Sequence, residues 1–168
     1  AMGQDGGYIP RWPAGLSYTG GMEGDGAAIL FAESALKGVE DVDYAAAYEL
    51  FLKTAFEKPP EGSPYDGRDG IEDFIELGWV PSDEHTGAAS NTLEYAVVDK
   101  ALAELAGHLG EPEEAEFRER AGYYANGFDD ETDFFRPRKA DGTFEEGFSP
   151  TEFHERSGVF TEGTAWQW

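Results

Sequence analysis

The chain has no cysteine, only 12 lysines and arginines against 35 aspartates and glutamates, and three histidines in 168 residues. Without thiols there is no disulfide framework, no thiolate metal site and no cysteine nucleophile. The formal charge of −23 repels nucleic-acid phosphates and anionic lipid headgroups, so neither is an expected partner. No run approaches the ~20 apolar residues that a membrane-spanning helix needs, so no membrane insertion is expected. His85, His108 and His154 are scattered with no i, i+4 pair, which leaves zinc without a local site.

What is present is aromatic and helical. Aromatic residues make up 14% and hydrophobic residues 40% of the chain, enough for one core. Residues 1–7 read as an added start or linker, and residues 8–168 as one part-domain. Gly6 to Gly21, with Tyr8, Pro10, Trp12 and Pro13, reads as an irregular, packed loop.

Helical spacing follows. Apolar residues from Met22 to Leu36 recur at three- and four-residue intervals before Gly38, and Asp43 is placed to cap a helix over 44–57 ahead of Pro59-Pro60. A short helix over 69–77 ends at Gly78. Asn91 and Glu94 have the spacing of a reciprocal cap, opening a helix that runs to Gly110. Pro112 opens a fifth helix toward Asn126-Gly127. Beyond Phe128 the helical period is lost, and the Asp141-Gly142 and Ser149-Pro150 pairs suit a long excursion with a small hairpin. The expected fold is all-α, helix packed on helix with aromatic-rich loops, and without an internal repeat.

Several motifs fall away on inspection. Gly20 to Gly26 is glycine-dense, yet it lacks the Lys-Ser/Thr ending of a phosphate loop, and Glu23 and Asp25 would repel phosphate. Asp129 to Asp133 alternates acids like a calcium loop, but Phe134 occupies the turn-glycine position and Ala140 the bidentate-glutamate position. Ser90 and Ser157 lack the flanking glycines of a nucleophile elbow. What remains are carboxylates among aromatics: Asp25, Glu94, Asp99 and Glu162. Sugar sites combine flat rings with acids. Glu162, followed by Gly163 and then by Trp166 and Trp168, is either an acid that two indoles shield and keep protonated, or a plain helix cap.

The run Thr161-Glu162-Gly163-Thr164-Ala165-Trp166-Gln167-Trp168 resembles the Glu-Gly-Asn-Ala-Trp-Gln-aromatic signature of glycoside hydrolase family 92, with Thr164 in place of the asparagine. Ser90-Asn91-Thr92-Leu93-Glu94-Tyr95-Ala96, with Asp99, is similar to a second family segment, and Met22-Glu23-Gly24-Asp25 with Lys37-Gly38 to a third. Trp12-Pro13 and the stretch from Phe134 to Gly142 with Phe144 and Phe148 extend the resemblance over nearly the whole chain.

The resemblance implies a sector of an (α/α)6 toroid from a calcium-dependent, inverting exo-α-mannosidase acting on mannose-containing glycans. It implies Glu162 as general acid, with Gln167, Asp25, Glu94 and Trp166 as residues that bind the sugar. The family's base and most of its calcium ligands lie in motifs beyond Trp168, so no metal ligand is assigned here and the remainder of the catalytic domain is the expected partner. A secreted, cell-surface or periplasmic location goes with it. Two alternatives stay open: a non-catalytic helical module binding glycans or proteins through Trp12, Trp79, Trp166 and Trp168, and a hydrolase of mannosyl phosphodiesters.

Overall fold

A computed structural model describes residues 2–15, 17–155 and 158–168. The chain is mostly helical, with α1 Met2–Gly6, α2 Gly26–Leu36, α3 Tyr44–Phe56, α4 Ile71–Leu77, α5 Ala88–Leu109 and α6 Glu114–Arg120. Two minimal antiparallel hairpins pair β1 Pro13–Ala14 with β2 Ser17–Tyr18, and β3 Phe128–Asp129 with β4 Phe134–Phe135. Single 3-10 turns cover Tyr123–Gly127 and Ala165–Gln167.

Helix α5 is the axle. Val98, Leu102, Ala103, Leu105 and Ala106 are sealed from solvent against Ala28, Ala32 and Ala35 of α2, Tyr48, Phe51 and Ala55 of α3, and Phe117 of α6. The alanine stripe of α2 lets that helix lie close to α5. A second cluster joins Ile71 and Phe74 of α4 with Val80, Ala88 and Tyr95, and the Phe74 and Tyr95 rings meet edge to face at 5.5 Å. Phe74 is fully buried, a position where truncation to alanine costs about 3–5 kcal/mol.

Charge is buried beside this core. Asp99, fully enclosed, accepts from Arg68 Nη1 and from Arg120 Nε, each at 2.7 Å. Arg120 also donates to the Ala55 carbonyl at 2.9 Å and lies over the rings of Phe56, Phe117 and Phe74. One carboxylate therefore ties α5 to α6 and to the segment before α4.

Local signals place several helix ends as the sequence predicts. The Asp43 carboxylate accepts from the Ala46 amide at 3.0 Å, and Gly78 and Gly110 close α4 and α5 in the left-handed conformation. Three boundaries differ. Helix α2 starts at Gly26, because Gly24 turns left-handed with φ +80. Helix α5 starts at Ala88, so Asn91 and Glu94 do not form a cap; Asn91 is buried, and its amide nitrogen donates to the Thr86 carbonyl at 3.2 Å. Helix α6 spans only Glu114–Arg120, and the chain then tightens through Ala121-Gly122 into the 3-10 turn. The expected small hairpin is β3–β4. Its Asp129 accepts from Thr132, Arg136 and the Glu131 amide, which makes a closed turn of the acidic run.

Candidate active site

Three segments remote in sequence meet at the N-terminal end of α5. The first four N–H groups of a helix have no partner within it. Here the strap that follows residue 157 takes up amides at this end: the Gly158 carbonyl accepts from Gly87 N at 2.7 Å, and the Val159 carbonyl from Ala89 N at 3.0 Å and Ser90 N at 3.4 Å. Ser90 Oγ accepts from Thr161 N at 3.0 Å, and Phe160 is buried against Ala89 and Ala165. The strap is thereby sewn to the helix, with Glu162 immediately after it. Ser157 lies outside the described residues.

The third segment is the glycine-rich turn before α2. Thr161 Oγ1 donates to Glu23 Oε1 at 3.2 Å, and Glu23 Oε2 lies 3.6 Å from Arg11 Nη1. Arg11 in turn donates to the carbonyls of Gly67 and Gly20, both at 3.2 Å. Glu94, one α5 turn beyond Ser90, lays its carboxylate over Gly24, where an added Cβ would stand 2.5 Å from Glu94 Oε2. Only glycine allows that approach.

Glu23, Asp25 and Glu94 line one wall of a groove of about 910 Å³, whose other surfaces include Trp12, Ile29, Leu30 and Phe51. Burial pushes the Glu94 carboxyl up, and the charge of Glu23 adds to the rise. Asp25 is 8% exposed, with Oδ2 enclosed and without a hydrogen-bond partner among the described residues. Burial raises its carboxyl against the pull of Arg68. Two carboxyls whose proton affinity burial raises thus line a groove within the size range of ligand pockets.

Glu162 is exposed and holds a left-handed backbone, φ +50. The two indoles do not enclose it within this chain: Trp166 is 69% exposed, with its ring 5.5 Å from that of Phe134, and Trp168 is exposed as well. The cap at this turn is Thr164, whose amide donates to Gln167 Oε1 at 2.7 Å. Of the sequence-predicted residues, Asp25 and Glu94 come together in the groove; Glu162, Trp166 and Gln167 are not among its lining residues, and Glu162 is tied to it through the neighbouring Thr161, which bonds Glu23. Glu23, Arg11 and Thr161 were not singled out as a unit from sequence, although Glu23 sits inside the same Met-Glu-Gly-Asp segment as Asp25.

Among the described residues, Asp73, Glu84 and His85 bring ligand atoms within 4.8 Å of one another. His85 Nε2 lies 2.7 Å from Asp73 and Nδ1 3.3 Å from Asp69, so the ring is fully engaged by two carboxylates. An imidazole among so few oxygens does not fit calcium, which takes six to eight oxygen ligands. The groove does not fit either: Glu23 is spent on Arg11 and Thr161, which leaves Asp25 and Glu94.

The fold is a mostly helical unit that gathers carboxylates beside a groove, and comparison with known proteins identifies its class as a glycosyl hydrolase catalytic domain. The family model described as "Glycosyl hydrolase family 92 catalytic domain" matches residues 1–168. Among solved structures, an inverting mannosidase of this family from Bacteroides thetaiotaomicron is 32% identical with a TM-score of 0.86, over 96% of this chain and 21% of that one. A family α-mannosidase from the same organism, in complex with mannoimidazole, is 30% identical with a TM-score of 0.77, over 87% of this chain and 19% of that one. No curated protein matches. The chain belongs to glycosyl hydrolase family 92, and it spans about a fifth of the length of these relatives.

Proposed function

We propose that this chain is the acid-bearing part of an inverting exo-α-mannosidase in which Glu162 protonates the leaving glycosidic oxygen of a terminal α-mannoside. The observation that carries the reading is the bond from Thr161, the residue before Glu162, to Glu23, which lines a groove with Asp25 and Glu94 beside the amide end of α5, in a chain of this family. In an inverting displacement one water adds to the anomeric carbon while the bond to the leaving oxygen breaks. The acid gives that oxygen its proton, and a second carboxylate takes a proton from the water.

The two carboxyls stand about 6.5–9.5 Å apart to admit the water. On this reading the base comes from the remainder of the same catalytic domain, which also completes an (α/α)6 toroid of which the present helices are a sector. Asp25 and Glu94 meet sugar hydroxyls, Trp166 offers its exposed ring to a sugar face, and the amide of Gln167 lies on the same turn. Calcium is the expected cofactor, and it would hold vicinal mannose hydroxyls. The residues present here do not build its cage, so its ligands belong to the remainder and no step is drawn through it. A mannose-bearing glycan is the partner, and the enzyme acts outside the cytoplasm, secreted, on the cell surface or in the periplasm.

Exposure of Trp12 and Trp166, 58% and 69%, favours a second reading as a glycan-binding module. The test joins this chain to the remaining family 92 segment and supplies a nitrophenyl α-mannoside with calcium. Turnover by the joined polypeptide and none by the chain alone is expected. Turnover by the chain alone would contradict a base outside it, and glycan binding without turnover in either would favour the module. A mannosyl phosphodiester cleaved in preference to a mannobiose would move the substrate class.

A further inference from the structure

We infer that Glu23 is a positioning residue for Glu162, acting through Thr161; the inference rests on the reading of Glu162 as proton donor. A non-glycine residue in the left-handed region is strained, because its Cβ crowds the following carbonyl, and such a backbone persists where its surroundings hold it. Glu162, at φ +50, is held on both sides. After it, the Gly163 carbonyl accepts from His154 N at 2.8 Å. Before it, Thr161 is gripped twice, through its amide by Ser90 Oγ and through its hydroxyl by Glu23.

The two grips do different things. The bond to Ser90 fixes how far the strap stands from α5. The bond to Glu23 fixes the side chain of Thr161 and with it the direction in which the chain enters Glu162. Glu23 is itself anchored: its side chain is 17% exposed, and its other oxygen faces Arg11, which two backbone carbonyls hold in turn. A largely buried, charged acceptor makes a stronger bond than a neutral one and is little screened by salt.

Gly87 leaves room for this contact. A Cβ there would lie 3.0 Å from Thr161 Oγ1 and 3.1 Å from Glu23 Oε1, at a residue whose φ of +63 also favours glycine. Glu23 and Thr161 are 138 residues apart, so no local chain preference brings them together.

The experiment uses the joined, full catalytic domain and compares two substrates, a nitrophenyl α-mannoside whose leaving group needs little protonation and a mannobiose whose leaving group needs it. The variants are Thr161→Val, Thr161→Ser, Glu23→Leu and Glu162→Gln. Displacing a proton donor removes part of the roughly 10²–10⁴-fold that general acid catalysis supplies. Thr161→Val and Glu23→Leu are therefore expected to lose about tenfold or more in kcat on mannobiose, far less on the nitrophenyl substrate, with KM unchanged. Thr161→Ser restores the wild-type ratio.

Equal losses on both substrates, a change confined to KM, or no loss would overturn the inference. Should Glu23→Leu fail to fold, Thr161→Val decides. If Glu162→Gln shows no preference for the activated substrate, the proton-donor reading fails and the inference falls with it. If Glu162→Gln shows that preference and Thr161→Val does not, the positioning role alone is wrong.

Discussion

Ser90 and Thr161 stand 71 residues apart in sequence, and the hydroxyl of one accepts the amide of the other at 3.0 Å. This bond holds the strap against α5, and the strap carbonyls that serve Gly87 and Ala89 replace the side-chain cap that α5 would otherwise need. Ser90→Ala leaves the Thr161 amide without its acceptor, at an expected cost of about 1–3 kcal/mol. Denaturant unfolding should show the loss, and amide exchange at Thr161 should quicken while exchange in the middle of α5 is unchanged.

Asp99 carries a larger burden. It is the shared partner of two buried guanidiniums, and among the described residues Arg68 Nε and Nη2 and Arg120 Nη1 have no hydrogen-bond partner. Asp99→Ala strands both cations in a low-dielectric core, and removing one partner of a buried pair costs about 3–5 kcal/mol. By contrast, Glu104→Ala removes only exposed, solvent-screened pairs with Lys100 and Arg118 and should leave the unfolding midpoint nearly unchanged. Urea midpoints of the two variants, measured side by side, check the difference.

Asp25 sets a pH dependence. Burial raises its carboxyl, so the folded chain holds this proton more tightly than the unfolded chain does. Its contribution to stability is whole below the unfolded carboxyl range and is lost as pH rises through the raised folded value. Asp25→Asn keeps the neutral shape at every pH. Its thermal midpoint should match the wild type near about pH 3 and exceed it at about pH 7. A variant that melts lower than wild type at neutral pH would show that the pull of Arg68 outweighs burial.

Much of the helical frame was legible because its signals are local. Asp43 caps α3 through an amide three residues away, and Gly78 and Gly110 stop their helices through their own backbone freedom. The start of α5 was misplaced because its cap comes from Gly158 and Val159, far along the chain and without a residue type that announces it. The α6 run breaks at Ala121-Gly122, where a continuing helical pattern in sequence masks the tightening of the backbone.

The site divides in the same way. Asp25 and Glu94 could be picked out as acids among aromatics, whereas the pairing of Glu23 with Thr161 depends on tertiary approach and leaves no periodic trace. Proximity in sequence leaves open whether the indoles shield Glu162 or Glu162 caps a helix; in the structure the Trp166 ring lies against Phe134 and the cap is Thr164.

The central claim is that Glu162 delivers the proton in mannoside cleavage, and the most direct measurement is kcat/KM for wild type and Glu162→Gln of the joined domain on a mannobiose and on a nitrophenyl α-mannoside. The account predicts a loss of about 10²-fold or more on mannobiose and a much smaller loss on the activated substrate. Equal activity of variant and wild type on mannobiose would contradict it.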